Sequence, residues 1–181
     1  MSDSDSLRTI TDFAEKLARE AGELIRHERD NNTLRTDYKQ QTELVTHADV
    51  MADEFITAAI RKRFPQHRIL SEETAPDLSQ AEELETPLWI VDPIDGTVNY
   101  AYGHPQVAVS IAYAEQGRVQ AGVVHAPFPG ETFRATKGEG ATLNGETIRH
   151  SGATVPRDSL FATASPITRT IWSLWSGAST P

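Results

Sequence analysis

The most informative segment of this chain reads Leu88-Trp89-Ile90-Val91-Asp92-Pro93-Ile94-Asp95-Gly96-Thr97. Its apolar first half, Leu88 to Val91, predicts a buried strand, so the carboxylates of Asp92 and Asp95 are expected where that strand ends and the chain turns. Pro93 fixes its own φ and biases the preceding residue towards an extended conformation. Gly96 lets the backbone approach a ligand closely. Because the two carboxylates repel each other, a hard divalent cation with oxygen ligands is the natural partner, although an ordinary acidic turn explains the same residues.

Two further segments place carboxylates at the ends of other elements. Ser71-Glu72-Glu73-Thr74 follows an apolar pair, so Glu72 is expected at the end of a second short strand. Upstream, Glu43-Leu44-Val45-Thr46-His47-Ala48-Asp49 leads into a helical pattern. Thr46 and Asp49 have the spacing of a capping box. Capping alone therefore explains Asp49, but a carboxylate in the first helical turn is also presented at the end of an element.

Taken in their order along the chain, the three segments resemble the inositol monophosphatase family, whose members are magnesium-dependent phosphomonoesterases with an Asp-Pro-Ile-Asp-Gly-Thr signature. The resemblance covers roughly residues 5 to 165. It implies a set of metal ligands, namely Glu72, Asp92, the backbone carbonyl of Ile94, and Asp95. Mg²⁺ is the implied cofactor, with Mn²⁺ as an alternative.

The same resemblance implies roles in catalysis and substrate binding. Asp49 and Thr97 match the pair that orients and deprotonates the attacking water, and Glu72 joins them as a catalytic residue. Contacts to the substrate are expected at Asp95, Gly96 and Thr97.

Other positions match the family less closely. Glu73 falls where members hold a supporting or third-metal carboxylate, and Lys39 resembles a lysine near the same site. Glu43 stands where the family usually has aspartate.

The C-terminal residues depart from the family pattern. Family members continue with a second α/β half that brings a Trp-Asp motif, whose aspartate completes the metal site. We expect an α+β domain over residues 1–165, an atypical tail over residues 166–181, and no C-terminal α/β half, as in a truncated or frameshifted product. Such a chain is expected to be less active than the resemblance suggests.

Apolar periodicity divides the chain into helices followed by strands. Apolar residues from Leu7 to Ile25 recur at helical spacing, which predicts an amphipathic helix ending near Asp30. A second helix is predicted from Thr46 to Pro65, and alternation from Val107 onward predicts antiparallel hairpins. The fold class is therefore α+β, with two N-terminal helices packed on a mainly antiparallel sheet. The resemblance identifies this unit as the N-terminal half of the αβαβα sandwich of inositol monophosphatases. Trp89, on the strand that leads to the carboxylates, is expected to be a core residue.

Composition restricts the function without selecting one. The chain has 181 residues, 38% of them apolar, no cysteine and a formal net charge of −9. No apolar stretch reaches membrane-spanning length and the start lacks the parts of a signal peptide, so the cytoplasm is the expected location and no membrane partner is expected. The acidic balance argues against nucleic acid as a partner. The expected partners are a small phosphorylated alcohol and, as an option, a second copy of the chain in a homodimer.

Two classes of function remain open at this stage. The first is metal-dependent hydrolysis of a small phosphate monoester, such as an inositol phosphate, by an activated water. Histidinol phosphate, fructose bisphosphate and 3′-phosphoadenosine 5′-phosphate are the alternative substrates within the family. The second is a non-catalytic remnant or an interaction protein.

Overall fold

Three helices and nine strands make up the described part of the chain. The computed structural model describes residues 3–31, 36–39, 43–73, 86–155 and 157, and it describes side chains for residues 7–31, 46–73, 86–155 and 157. In chain order the elements are α1 (Asp3–Asp30), β1 (Thr36–Lys39), β2 (Glu43–Thr46), α2 (His47–Arg63), β3 (Arg68–Ser71), β4 (Leu88–Asp95), α3 (Thr97–Ala101), β5 (Ala108–Glu115), β6 (Arg118–Ala126), β7 (Glu131–Thr136), β8 (Gly140–Leu143) and β9 (Glu146–Ile148).

Seven of the strands form one mixed sheet in the order β3-β4-β5-β6-β7-β8-β9. Only the β3–β4 pair is parallel, and the pairs from β4 to β9 are antiparallel. β1 and β2 form a separate antiparallel hairpin, which the sequence pattern did not indicate. The α+β prediction with a mainly antiparallel sheet is therefore confirmed.

The two long helices cover one face of the seven-stranded sheet. α1 packs against β5, β6 and β7, and α2 packs against α1 and β4. The apolar stripe predicted for the first helix is buried, at Ile10, Ala14, Leu17, Ala21 and Ile25. This packing confirms the prediction of two N-terminal helices on one sheet face.

Trp89 lies at the centre of an aromatic cluster between helices and sheet. It is fully buried, its ring centroid lies 5.8 Å from that of Phe13 and 5.4 Å from that of Phe64, and its Nε1–H donates to His67 Nδ1 over 3.1 Å. The prediction that Trp89 is a core residue is confirmed. Since Trp89 lies on β4, its packing holds the strand that carries the carboxylates.

One boundary prediction is wrong. The strand expected to end at Val91 continues to Asp95, so both aspartates lie on β4 itself rather than in the turn after it. Pairing with β5 continues through Asp92 and Asp95, with a register shift between them. Pro93 lies inside this shift, where its missing N–H leaves the ladder irregular without ending the strand.

Some predictions fall on residues that the structure does not describe. All of the tail predicted at 166–181 lies outside the described ranges, as do residues 74–85 between β3 and β4. None of the helices within the described ranges has the length and apolarity needed to cross a membrane.

At Gly22, α1 approaches the sheet closely. A Cβ at this position would lie 2.8 Å from His125 Nε2 and 3.2 Å from Pro127 Cβ. His125 cannot move away easily, because it is 7% exposed and its Nδ1 is 2.8 Å from Thr132 Oγ1. Gly22 therefore sets the distance between α1 and β6.

We predict that Gly22→Ala destabilises the protein by about 1–3 kcal/mol, because overpacking outweighs the ~1 kcal/mol that alanine gains in a helix. Urea unfolding measures the change. In a His125→Ala background the added methyl group has room, so there the same substitution should be neutral or stabilising. A stabilising Gly22→Ala in the parent protein would contradict the packing.

Candidate active site

The parallel pairing of β3 with β4 brings the predicted metal ligands together. Ser71 lies opposite Val91 in the ladder, and the backbone N–H of Glu72 donates to the Val91 carbonyl over 3.1 Å. Both strands run in the same direction, so the residues that follow in each chain meet at one edge of the sheet. Glu72 and Asp92 consequently lie side by side although 20 positions separate them.

Asp92 carries the strongest electrostatic perturbation at this edge. The pKa of its carboxyl is raised from the ordinary value of 3.8 to about 8. Burial is the main cause, the charge of Glu72, a hydrogen bond with Glu72 and the charge of Asp95 act in the same direction, and the Ile94 backbone N–H opposes the shift. Its Oδ1 is buried and has no hydrogen-bond partner among the described residues. A positive charge at this oxygen would offset the repulsion between the carboxylates and would give the buried oxygen a partner.

The donor set at this edge consists only of oxygen atoms. Carboxylates and backbone carbonyls are the ligands that a hard divalent cation prefers, and the unpaired Asp92 oxygen faces two further carboxylates. Within the described ranges, no three His, Cys, Asp or Glu side chains already stand close enough to enclose a metal ion. In ligand type, the residues present nevertheless fit Mg²⁺ or Mn²⁺.

Asp49 and Thr97 form a hydrogen-bonded pair beside these carboxylates. Thr97 Oγ1 lies 3.0 Å from Asp49 Oδ1 and 3.1 Å from the Ile94 carbonyl oxygen, and its hydroxyl hydrogen can point to either. The other Asp49 oxygen accepts from the Thr46 backbone N–H over 2.8 Å and from the Thr46 hydroxyl. Asp49 is 1% exposed. The capping contact predicted for Thr46 and Asp49 is confirmed, and the same carboxylate also reaches the predicted site.

Gly96 is required by the backbone between the carboxylates and α3. Its φ of 96° lies in the left-handed region, and a Cβ there would lie 2.9 Å from the Gln106 carbonyl oxygen. That carbonyl also accepts from Asn99 Nδ2 over 2.8 Å, so the loop returns directly onto the motif. A side chain at Gly96 would be strained in conformation and would displace this loop.

The remaining predicted residues fall around this centre. Asp95 and Glu72 are exposed, the Ile94 side chain is buried, and Glu73 is half-buried. For Lys39 and Glu43 the structure places the backbone in β1 and β2, and their side chains lie outside the described part.

Sequence reasoning missed three residues that hold the site together. Tyr100, fully buried on α3, donates its hydroxyl to the Ile25 carbonyl on α1 over 2.7 Å. Asp53 and Ser71, both buried, are joined by a hydrogen bond from the serine hydroxyl to the carboxylate. The spacing of Asp53, four residues after Asp49 on one helix, was the available signal.

Comparison with known proteins places this chain in one family. The sequence profile of the inositol monophosphatase family matches residues 6–171. The chain therefore belongs to the inositol monophosphatase family.

Three curated relatives show the range of names in this family. The chain is 37% identical over 163 residues to "Inositol monophosphatase 3" of Solanum lycopersicum, covering 90% of this chain and 60% of the relative. It is 42% identical over 143 residues to "Fructose-1,6-bisphosphatase/inositol-1-monophosphatase" of Thermotoga maritima, covering 77% and 52%. It is 37% identical over 161 residues to "Nus factor SuhB" of Pseudomonas aeruginosa, covering 88% and 59%. The chain thus spans little more than half the length of these relatives.

Solved structures agree with this assignment. The extragenic suppressor protein SuhB of Bartonella henselae superimposes with a TM-score of 0.72 at 31% identity, covering 80% of this chain and 55% of that one. The IMPase of Thermotoga maritima superimposes with a TM-score of 0.66 at 41% identity, covering 78% and 53%. The fold expected from the resemblance is confirmed.

The raised pKa of Asp92 predicts a pH-dependent stability in metal-free buffer. Between about pH 4 and pH 8 the folded protein keeps a proton on Asp92 that the unfolded chain releases. This contribution to stability is fully present below about pH 4 and is lost as the pH rises towards 8. Asp92→Asn, which is uncharged in both states, should therefore be more stable than the parent at pH 8, and its advantage should shrink as the pH falls.

Urea unfolding in EDTA at several pH values measures this effect. Glu54→Gln, at an exposed position of α2, is the matched control and should follow the parent at every pH. A constant difference between Asp92→Asn and the parent would show that Asp92 does not titrate abnormally.

Proposed function

We propose that this chain carries the catalytic edge of a metal-dependent phosphatase that hydrolyses a small phosphate monoester. The observation that carries the proposal is the hydrogen bond between Thr97 and buried Asp49, next to a crowded set of carboxylates with an unpaired buried oxygen. A base beside a site for cations is the arrangement that hydrolysis by an activated water requires.

The residues proposed to hold the cation are Glu72, Asp92, the Ile94 carbonyl and Asp95. Mg²⁺, or Mn²⁺ in its place, would supply positive charge that offsets both the carboxylates and the phosphate and would favour deprotonation of water near neutral pH. The whole chain carries a formal net charge of −9, so a phosphate monoester is repelled unless the local charge is reversed.

The Asp49–Thr97 pair is proposed to accept the proton from the attacking water. A water that donates to Thr97 Oγ1 can pass its proton along the hydrogen bond to Asp49 Oδ1. The second oxygen of Asp49 is held by Thr46, which prevents the carboxylate from turning away. Glu72 is proposed as the third catalytic residue because it lies across the same edge beside Asp92.

Substrate contacts are proposed at Asp95, Gly96 and Thr97. The exposed Asp95 carboxylate can accept from a hydroxyl group of the substrate alcohol. The amides of Gly96 and Thr97, at the left-handed turn that follows β4, are proposed to contact the oxygens of the phosphoryl group.

The proposed substrate class is a phosphorylated small alcohol, with inositol phosphate first. Relatives named as inositol monophosphatase and as fructose-1,6-bisphosphatase support this class without choosing between its members. Histidinol phosphate and 3′-phosphoadenosine 5′-phosphate complete the panel to be tested. We further propose that residues 1–165 form one domain, because helices α1 and α2 share a single core with the sheet.

A second candidate is a role in protein interaction. Several relatives carry the name Nus factor SuhB, and on the sheet face away from α1 the side chains of Val124 and Phe133 are 39% and 37% exposed. An exposed apolar pair on a sheet face is a contact surface in many assemblies. A homodimer remains a prediction.

Thermal unfolding tests the proposed cation site. Mg²⁺ at 100 times its Kd should stabilise the folded protein by ~2.7 kcal/mol, since a ligand that binds only the folded state adds RT ln(1 + [L]/Kd). Asp95→Asn should remove most of this gain, whereas Glu146→Gln, at an exposed position of β9, should keep it. Thermal unfolding with Mg²⁺ and with EDTA measures the shift. Identical melting curves for the parent in both buffers would refute the cation site.

Substitutions at Thr97 and Asp49 test the proposed proton acceptor. Thr97→Val keeps the side-chain volume but removes the hydroxyl, so we expect a loss in kcat on the order of 100-fold, within the range of general base catalysis. Thr97→Ser keeps the hydroxyl and should retain most activity, and Asp49→Asn should fall as far as the valine variant. Phosphate release from the ester panel, with and without Mg²⁺, is the measurement. Equal kcat for the valine and serine variants would exclude the proposed pair.

A further inference from the structure

Asp53 is a buried carboxylate that the proposed chemistry does not use. It lies on α2, is 2% exposed, and its Oδ1 accepts a hydrogen bond from the hydroxyl of Ser71, which is fully buried. No Lys, Arg or His side chain among the described residues forms an ion pair with it. Removing a carboxylate from water without a cationic partner is unfavourable, so the burial of Asp53 against Ser71 needs a physical explanation.

The position of Asp53 on α2 relates it to the site. Residues four apart on a helix share one face, and Asp49 lies one turn before Asp53. From this face Asp49 reaches Thr97 after β4, while Asp53 reaches Ser71 at the end of β3. One helix face therefore contacts both chain segments that carry the proposed site.

Ser71 is the residue directly before Glu72. It is the last residue of β3, and directly after it the Glu72 N–H donates to the Val91 carbonyl on β4. The Glu72 side chain is exposed and has little packing of its own. The direction of Glu72 thus depends on how firmly the end of β3 is held.

We propose that Asp53 is a positioning residue that holds Glu72 beside Asp92 through its hydrogen bond to Ser71. The effect on backbone order stands by itself, and the effect on metal affinity rests on the proposed function. Asp53 does not touch the substrate or the cation in this proposal. Its carboxylate oxygen acts as a hydrogen-bond acceptor, so an asparagine oxygen can replace it.

The first measurement is amide hydrogen exchange at Glu72 in metal-free buffer, by NMR on the full chain. Asp53→Ala and Ser71→Ala should each speed exchange at Glu72 by about tenfold or more, since the end of β3 opens locally, and amides of β5 and β6 should be unchanged. Asp53→Asn should restore protection to near the parent value. Thr57→Val, at another buried polar position of α2, is the matched control and should leave Glu72 unchanged.

The second measurement is the affinity for Mn²⁺, followed by titration calorimetry. Loss of a residue that orients a metal ligand typically costs 10–100-fold in affinity, so Asp53→Ala and Ser71→Ala should fall in this range while Asp53→Asn and Thr57→Val stay near the parent. If the alanine variant at Asp53 does not fold, Ser71→Ala and Asp53→Asn carry the comparison.

The outcomes separate this proposal from the proposed function. Unchanged exchange at Glu72 in Ser71→Ala would overturn the positioning role, whatever the metal affinity. Loss of protection in Asp53→Asn equal to that in Ser71→Ala would also overturn it, because charge rather than the hydrogen bond would then matter. Increased exchange in a protein that binds no Mn²⁺ would support the positioning role and refute the proposed cation site.

Discussion

The parallel pairing of β3 with β4 is the constraint on which the candidate site depends. In an otherwise antiparallel sheet, this is the pair of neighbouring strands whose carboxyl ends lie at the same edge, and Glu72 thereby meets Asp92. An antiparallel pair would have placed the two carboxylates at opposite edges. Burial is the first cause of the raised pKa of Asp92, about 8, and the charge and hydrogen bond of Glu72, which this pairing brings beside it, add to the shift.

Helix α2 packs against the sheet and supports this pair of strands. Its core residues bury it against α1 and β4, while two aspartates on one face reach the last residue of β3 and the segment that follows β4. The contact at Asp49 serves two purposes, since one carboxylate oxygen closes the first turn of the helix and the other meets Thr97. Stability of the helix start and orientation of the site are therefore coupled, and a change in one affects the other.

Like charges gathered at one edge are unfavourable for folding by themselves. Burial of Asp92 near Glu72 and Asp95 destabilises the charged form of this carboxyl, and the packing of Trp89 and Tyr100 helps to hold the surrounding backbone in place. Binding of a cation would convert this cost into affinity, because the same repulsion is relieved only in the bound state. Carboxylates with strongly perturbed pKa values are typical of functional sites.

Local pattern was sufficient for the two long helices, the hairpins after Val107 and the residue types of the site, because helical periodicity, strand alternation and the Asp-Pro-Ile-Asp-Gly-Thr segment are properties of neighbouring residues. The same pattern ended β4 four residues early, at Val91 instead of Asp95, since pairing with β5 carries the strand through Pro93. It also overlooked Asp53 and Ser71, whose contact joins residues 18 positions apart. The sequence by itself determined which groups are present and which elements carry them. Tertiary structure alone decided which of them meet, because strand direction and helix packing depend on contacts between distant residues that no local pattern records.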